Sequence, residues 1–184
     1  MKVFLILADG FEEMEATYTI ALLREMGVDL KTVSISSSKE VCSSHEVSLL
    51  TDFCWEECNL YEGDLLILPG GQPGTNNLAS FSPLKDVILY YFNNNKIIAA
   101  ICAAPSILGD LGILKGKKAT CFPGYEERLI GATILHDIVV VDNNLITSRG
   151  AGTAAAFSFA IAEKVASPER IKETKSKFYG GIIE

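Results

Sequence analysis

A chain of 184 residues with 48% hydrophobic and 21% charged residues, and no shift in composition along its length, is sized for a single domain over 1–184 with its own core. Its formal net charge of −7 makes a surface that repels phosphate backbones, which excludes nucleic acid as the main ligand. The opening apolar run gives way to Asp9 and Gly10 too soon for a signal peptide, and no stretch reaches the roughly 18 apolar residues of a membrane span, so a soluble cytoplasmic protein with no membrane partner is expected.

In chain order, Val3 to Ala8 is a short apolar run that reads as a strand. Glu12 to Met26 follows with helical periodicity, and Gly27 is placed to end it. Leu30 to Ile35 is a second strand. Ser36 to Asp52, filled with serines and β-branched residues, reads as a small hairpin rather than a helix. Asp64 to Leu68 shows no polar alternation, as expected of a central strand buried on both faces. Pro83 suits the first turn of a helix through Phe92. Ile97 to Ile101 is a strand that runs into Cys102 and a helix over residues 104–111. Ile138 to Val141 and Leu145 to Thr147 flank a two-residue Asn143-Asn144 turn. Ala154 to Val165 and a charged segment opened by Pro168 are the last helices. Strands alternating with helices imply a mostly parallel sheet covered on both faces.

In such sheets ligands bind where loops leave the carboxyl ends of the strands. The segments expected to meet there are Asp9 to Glu15, Pro69 to Thr75, Cys102 to Pro105 and Arg149 to Thr153. Cys102 carries the strongest signal. A nucleophile on a tight strand-to-helix turn needs small residues two before and two after it, and Ala100 and Ala104 satisfy that. A helix N-terminus is also expected to favour the thiolate. Glu15 shares a helical stripe with Thr19, Leu22 and Met26, so its carboxyl should turn inward, keep its proton and donate a hydrogen bond to that thiolate. Glu12 and Glu13 read as solvated first-turn acids. The loop Pro69-Gly70-Gly71-Gln72-Pro73-Gly74 offers bare amides to an anion or oxyanion. Arg149 is equally suited to a substrate carboxylate or phosphate and to a surface acid.

The five cysteines, Cys42, Cys54, Cys58, Cys102 and Cys121, are odd in number and irregularly spaced, which fits a reducing compartment better than a disulfide framework. Cys54 and Cys58 stand four apart, but the two histidines, His45 and His136, have no partner at ligand spacing. No metal site is expected.

Four motifs in order, Leu7-Ala8-Asp9-Gly10-Phe11-Glu12-Glu13-Met14-Glu15, Leu68-Pro69-Gly70-Gly71, Ala99-Ala100-Ile101-Cys102-Ala103-Ala104-Pro105 and Thr147-Ser148-Arg149-Gly150-Ala151-Gly152-Thr153, resemble the ThiJ/PfpI superfamily in its DJ-1 (deglycase) branch. The resemblance implies a flavodoxin-like three-layer sandwich, a homodimer and no cofactor. It implies an oxidation-sensitive Cys102 paired with a protonated Glu15, backbone amides of Gly71 and Ala103 as an oxyanion pocket, and Arg149 close by. Ser44 stands where the family places an arginine at its anion site, and Phe122 where several members carry a histidine. Ala103 replaces the histidine that follows the cysteine in the protease branch, which argues against peptidase activity. Two functions follow as expectations. One is a cysteine-dependent glyoxalase or deglycase acting on small carbonyl metabolites or on glycated thiols and amines. The other is an oxidation sensor or redox-regulated chaperone using Cys102 sulfinic acid.

Overall fold

The computed structural model describes residues 1–180. Its elements are β1 (Lys2–Leu7), α1 (Glu13–Glu25), β2 (Asp29–Ser34), β3 (Glu40–Cys42), β4 (Ser48–Leu50), β5 (Phe53–Cys54), β6 (Leu65–Leu68), α2 (Gly74–Ser80), α3 (Ser82–Asn93), β7 (Ile97–Ile101), α4 (Pro105–Asp110), β8 (Lys118–Ala119), β9 (Thr133–Ile134), β10 (Val139–Asp142), β11 (Leu145–Ser148), α5 (Ala154–Val165) and α6 (Pro168–Phe178). Seven strands form one sheet in the order β10-β11-β7-β6-β1-β2-β5. Every pairing in it is parallel except β10 with β11.

The continuous apolar runs have a direct physical cause, because both faces of the sheet are covered. Along β1, Val3, Leu5 and Leu7 pack with Leu22 and Leu23 of α1 and Phe157 and Ile161 of α5. The alternate residues Phe4 and Ile6 pack with Leu84, Ile88 and Tyr91 of α3 and Leu108 of α4. Successive side chains on a strand point to opposite faces, so one strand serves two cores. Burying such side chains supplies roughly 1.5 to 3 kcal/mol each and dominates the stability of the sandwich. On one side, the Thr19 and Ser158 hydroxyls meet at 2.9 Å and join α1 to α5 just beneath Glu15.

The predicted strands, the helix after β1, the hairpin within residues 36–52 (β3 with β4) and the turn at Asn143-Asn144 are all present. Asn143 takes φ +56, the left-handed geometry that a tight two-residue hairpin demands and asparagine tolerates. Other features are not predicted. Residues 74–80 form α2, which the sequence reading does not assign; burial of Leu78 against the core and the Thr75 N–H bond to Gly71 O hold it. The two-residue β5 extends the sheet beyond β2. The equally short β8 and β9 pair in parallel outside the main sheet. Segments of two residues carry too little periodicity to be recognised locally. The helix expected over residues 104–111 is shorter, six residues from Pro105.

Because β11, β7, β6 and β1 are consecutive neighbours, the loops leaving their carboxyl ends lie side by side. Among the described residues no helix is long and apolar enough to cross a membrane.

Candidate active site

Cys102 follows β7 directly and takes φ +65, a conformation that a β-carbon makes costly and that persists only where the surroundings impose it. Its N–H donates to Ser148 O at 3.0 Å and its carbonyl accepts from Phe122 N–H at 2.8 Å. Ala100 and Ala104 are fully buried, and the chain turns so tightly that only small side chains fit there. The side chain is half-buried, and the N–H groups of Gly71 and Ala103 act on the sulfur in favour of its ionised form.

The glycine loop presses against this turn. A β-carbon on Gly70 would lie 2.5 Å from Cys102 Cβ and 2.9 Å from Glu15 Oε2. Gly71 has φ +91, and a β-carbon there would sit 2.3 Å from the backbone nitrogen of Glu12. Gly71→Ala is therefore expected to lower stability by about 2 to 4 kcal/mol. Urea unfolding checks this, and an unchanged midpoint would show that the loop relaxes freely.

Glu15 is 1% exposed. Gly70 N–H donates to its Oε2 at 2.7 Å, and Oε1 is buried with no hydrogen-bond partner. Burial pushes the carboxyl up to about 7, aided by the charge of Glu12 and opposed by the Gly70 N–H and the Cys102 hydrogen bond. Burial also pushes the Cys102 thiol up to about 12; the charge and hydrogen bond of Glu15 add to this, and the Gly71 and Ala103 N–H groups oppose it. The expected lowering of the thiol by a helix dipole is thus overturned. The helix after Cys102 is short, and burial beside a carboxylate outweighs it. A proton on Glu15 removes the repelling charge, whereas its carboxylate holds the thiol protonated.

Arg149 leaves the end of β11, but its guanidinium Nη1 lies 3.4 Å from both His136 Nδ1 and His136 O. Its charge acts on Cys121 and Glu126. Ser44 Oγ lies 3.3 Å from His45 Nδ1, and the Ser44 N–H donates to Phe11 O at 2.8 Å. The structure thus brings Cys102, Glu15, Gly71 and Ala103 into one cluster, with Arg149 and Ser44 engaged at its borders.

His45, exposed in the hairpin turn as its sequence position suggests, meets acids that spacing along the chain does not show. It donates to Glu13 Oε1 at 2.8 Å and stands 3.9 Å from Glu12 Oε2. The hydrogen bond to Glu13 and the two negative charges raise its pKa. The side-chain oxygens of Glu12 and Glu13 and a ring nitrogen of His45 come within 4.8 Å of one another. The hairpin β3–β4 brings His45 to the start of α1, which local sequence does not reveal. All five cysteines are free thiols.

Sequence reasoning reached the rim of the site only at Phe122, through the resemblance, and missed Gln72 and Tyr125. Gln72 Nε2 donates to Tyr125 Oη at 2.9 Å, joining the glycine loop to the turn after β8. Phe122 stands beside Gly150, and a β-carbon on Gly150 would lie 3.1 Å from the ring. The Pro123-Gly124 dipeptide signals the turn but not what it faces.

The pattern that defines the DJ-1/PfpI family matches residues 1–164. The chain belongs to the DJ-1/PfpI family. Among its relatives in that family is Protein DJ-1 homolog B of Arabidopsis thaliana, 38% identical over 170 residues; the match takes in 92% of this chain but only 39% of that longer protein. A deglycase of Pyrococcus horikoshii is 31% identical over 151 residues, covering 81% of this chain and 90% of the relative. The crystal structure of Drosophila melanogaster DJ-1beta superposes with a TM-score of 0.92 at 34% identity, covering 100% of both chains. The DJ-1/PfpI fold is flavodoxin-like, as the motifs imply.

Proposed function

We propose that this DJ-1/PfpI protein is a cofactor-independent, cysteine-dependent enzyme acting on α-dicarbonyls such as methylglyoxal, or on their adducts with thiols and amines. The observation that carries the reading is a buried carboxyl, Glu15, pressed against the Cys102 thiol at the glycine loop, where a β-carbon on Gly70 would lie 2.9 Å from Glu15 Oε2 and 3.1 Å from Cys102 Sγ. The Pyrococcus horikoshii relative is named a deglycase, which agrees with it.

In this mechanism the Cys102 sulfur attacks the aldehyde carbon, forming the C–S bond as the carbonyl π bond breaks. The N–H groups of Gly71 and Ala103 steady the oxygen that gains the charge, and a proton from Glu15 completes the hemithioacetal. The Glu15 carboxylate then takes the proton from that carbon and delivers it to its neighbour through an enediol, leaving a lactoyl thioester. Water cleaves the thioester, releasing lactate and restoring the thiol. Methylglyoxal plus water gives lactic acid, with no net redox change. Incubation with methylglyoxal and measurement of lactate tests the reading; absence of lactate overturns it. Arg149 is proposed to hold an anionic group of a larger substrate, with Ser44 a weaker contact than arginine. A homodimer in the cytoplasm is part of the proposal.

The oxidation-sensor reading draws on the same pocket, since two N–H donors and a carboxylic acid also suit the oxygens of a sulfinate. It predicts that mild peroxide adds two oxygens to Cys102 ahead of the exposed Cys42, as read by peptide mapping. Equal oxidation of both would remove this reading.

A further inference from the structure

A wall beside the thiol takes no part in the proton transfers. It is built by the turn after β8. The Phe122 N–H donates to Cys102 O at 2.8 Å, which ties the start of this turn to the nucleophile itself. At its far end Tyr125 N–H donates to Phe122 O at 3.2 Å, and Tyr125 Oη accepts from Gln72 Nε2 at 2.9 Å. The turn is therefore anchored both to the elbow and to the glycine loop.

The Phe122 ring overhangs Gly150. A β-carbon placed on Gly150 would lie 3.1 Å from Phe122 Cδ2, 3.6 Å from Cε2 and 4.0 Å from Cys102 Sγ. Ring edge and sulfur thus border the same small space, which Gly150 leaves open. The ring is 46% exposed, so it meets solvent or whatever lies over the sulfur. Neither Phe122 nor Gly150 brings a side-chain hydrogen-bonding group to this side, and the adjacent Arg149 is turned to His136. A substituent on a carbon attacked by Cys102 would lose apolar surface to water only if it is itself apolar, at roughly 25 cal/mol per Å².

We propose that Phe122 is a specificity-determining residue that selects electrophiles carrying an aryl or bulky alkyl group on the carbon chain held at Cys102. On the carbonyl reading above, on which this choice of substrate class rests, the favoured substrates are α-oxoaldehydes with such a group rather than glyoxal itself.

The test uses alkylation, which needs no turnover. Cys102 is treated with phenacyl bromide or iodoacetamide; in each the sulfur–carbon bond forms as the carbon–halogen bond breaks and halide leaves. Peptide mapping reads the rate at Cys102 alone. The ratio of the two rates is expected to fall about tenfold in Phe122→Ala and to be largely kept in Phe122→Leu, and comparing ratios cancels the reagents' intrinsic reactivities. An unchanged ratio in Phe122→Ala overturns the proposal. Lactate assays with methylglyoxal, run beside it, report separately on the enzymatic reading. Loss of the alkylation preference without any turnover would keep the wall and discard the enzyme. Turnover with an unchanged alkylation ratio would do the reverse.

Discussion

Cys102→Ser is expected to lower methylglyoxal turnover by at least about a thousandfold, equivalent to about 4 kcal/mol of lost transition-state stabilisation. The physical ground is the pair itself. A thiol is a far stronger acid and better nucleophile than a serine hydroxyl, which needs a strong base. The carboxyl beside it is raised only to about 7. The fold is expected to survive, because the hydrogen bonds of the turn run through the backbone N–H and C=O of residue 102 rather than through its sulfur. Lactate formation by the variant checks this; turnover within tenfold of the parent would remove Cys102 from the chemistry.

Glu15→Gln is expected to cost about a hundredfold or more in turnover and to change two pH dependences. In the parent, the carboxyl releases its proton around pH 7, and its charge then helps hold the thiol protonated, up to about 12. Alkylation of Cys102 should therefore stay slow through neutral pH and rise only in alkaline solution. Glu15→Gln removes that charge, so the rise should move to lower pH; an unmoved profile would show that Glu15 does not act on the sulfur. The second dependence is stability. The folded-state value of Glu15 lies above its ordinary 4.5, so the folded protein binds the proton more tightly than the unfolded chain does. That stabilisation is complete below about pH 4.5 and is lost as pH rises through about 7. Between pH 5 and pH 8 the loss amounts to about 2 to 3 kcal/mol, and Glu15→Gln should abolish that part of the slope. Urea unfolding at the two pH values measures it.

The two variants also separate roles. Cys102→Ser removes the nucleophile and leaves the buried carboxyl, so much of the stability slope should remain. Glu15→Gln leaves the sulfur, so alkylation should continue. If both variants lost the same properties to the same degree, the pair would be a structural unit rather than a nucleophile with its proton partner.

Much of the arrangement is legible from local pattern because its causes are local. A strand covered on both faces must be apolar throughout, as β6 is. Ala100 and Ala104 around Cys102 announce a turn with no room for larger side chains. Glu15 on the stripe of Thr19 and Leu22 announces a carboxyl turned inward. These features follow from the periods of helix and strand and from steric limits acting within a few residues. Other parts are not legible in this way. The Gly70 N–H that meets Glu15 comes from 55 residues away, and the balance of burial, charge and donors that raises both groups exists only after the sheet has assembled. The His45 contacts with Glu12 and Glu13, the Phe122 wall over Gly150, and α2 with its Gly-Thr-Asn-Asn start likewise depend on neighbours brought by the fold. The sequence by itself therefore determined the layers, the elbow and the inward carboxyl. Only the tertiary structure decided how strongly burial and charge act on the carboxyl and the thiol and what borders the sulfur, because electrostatics and contact depend on distance in space rather than on separation along the chain.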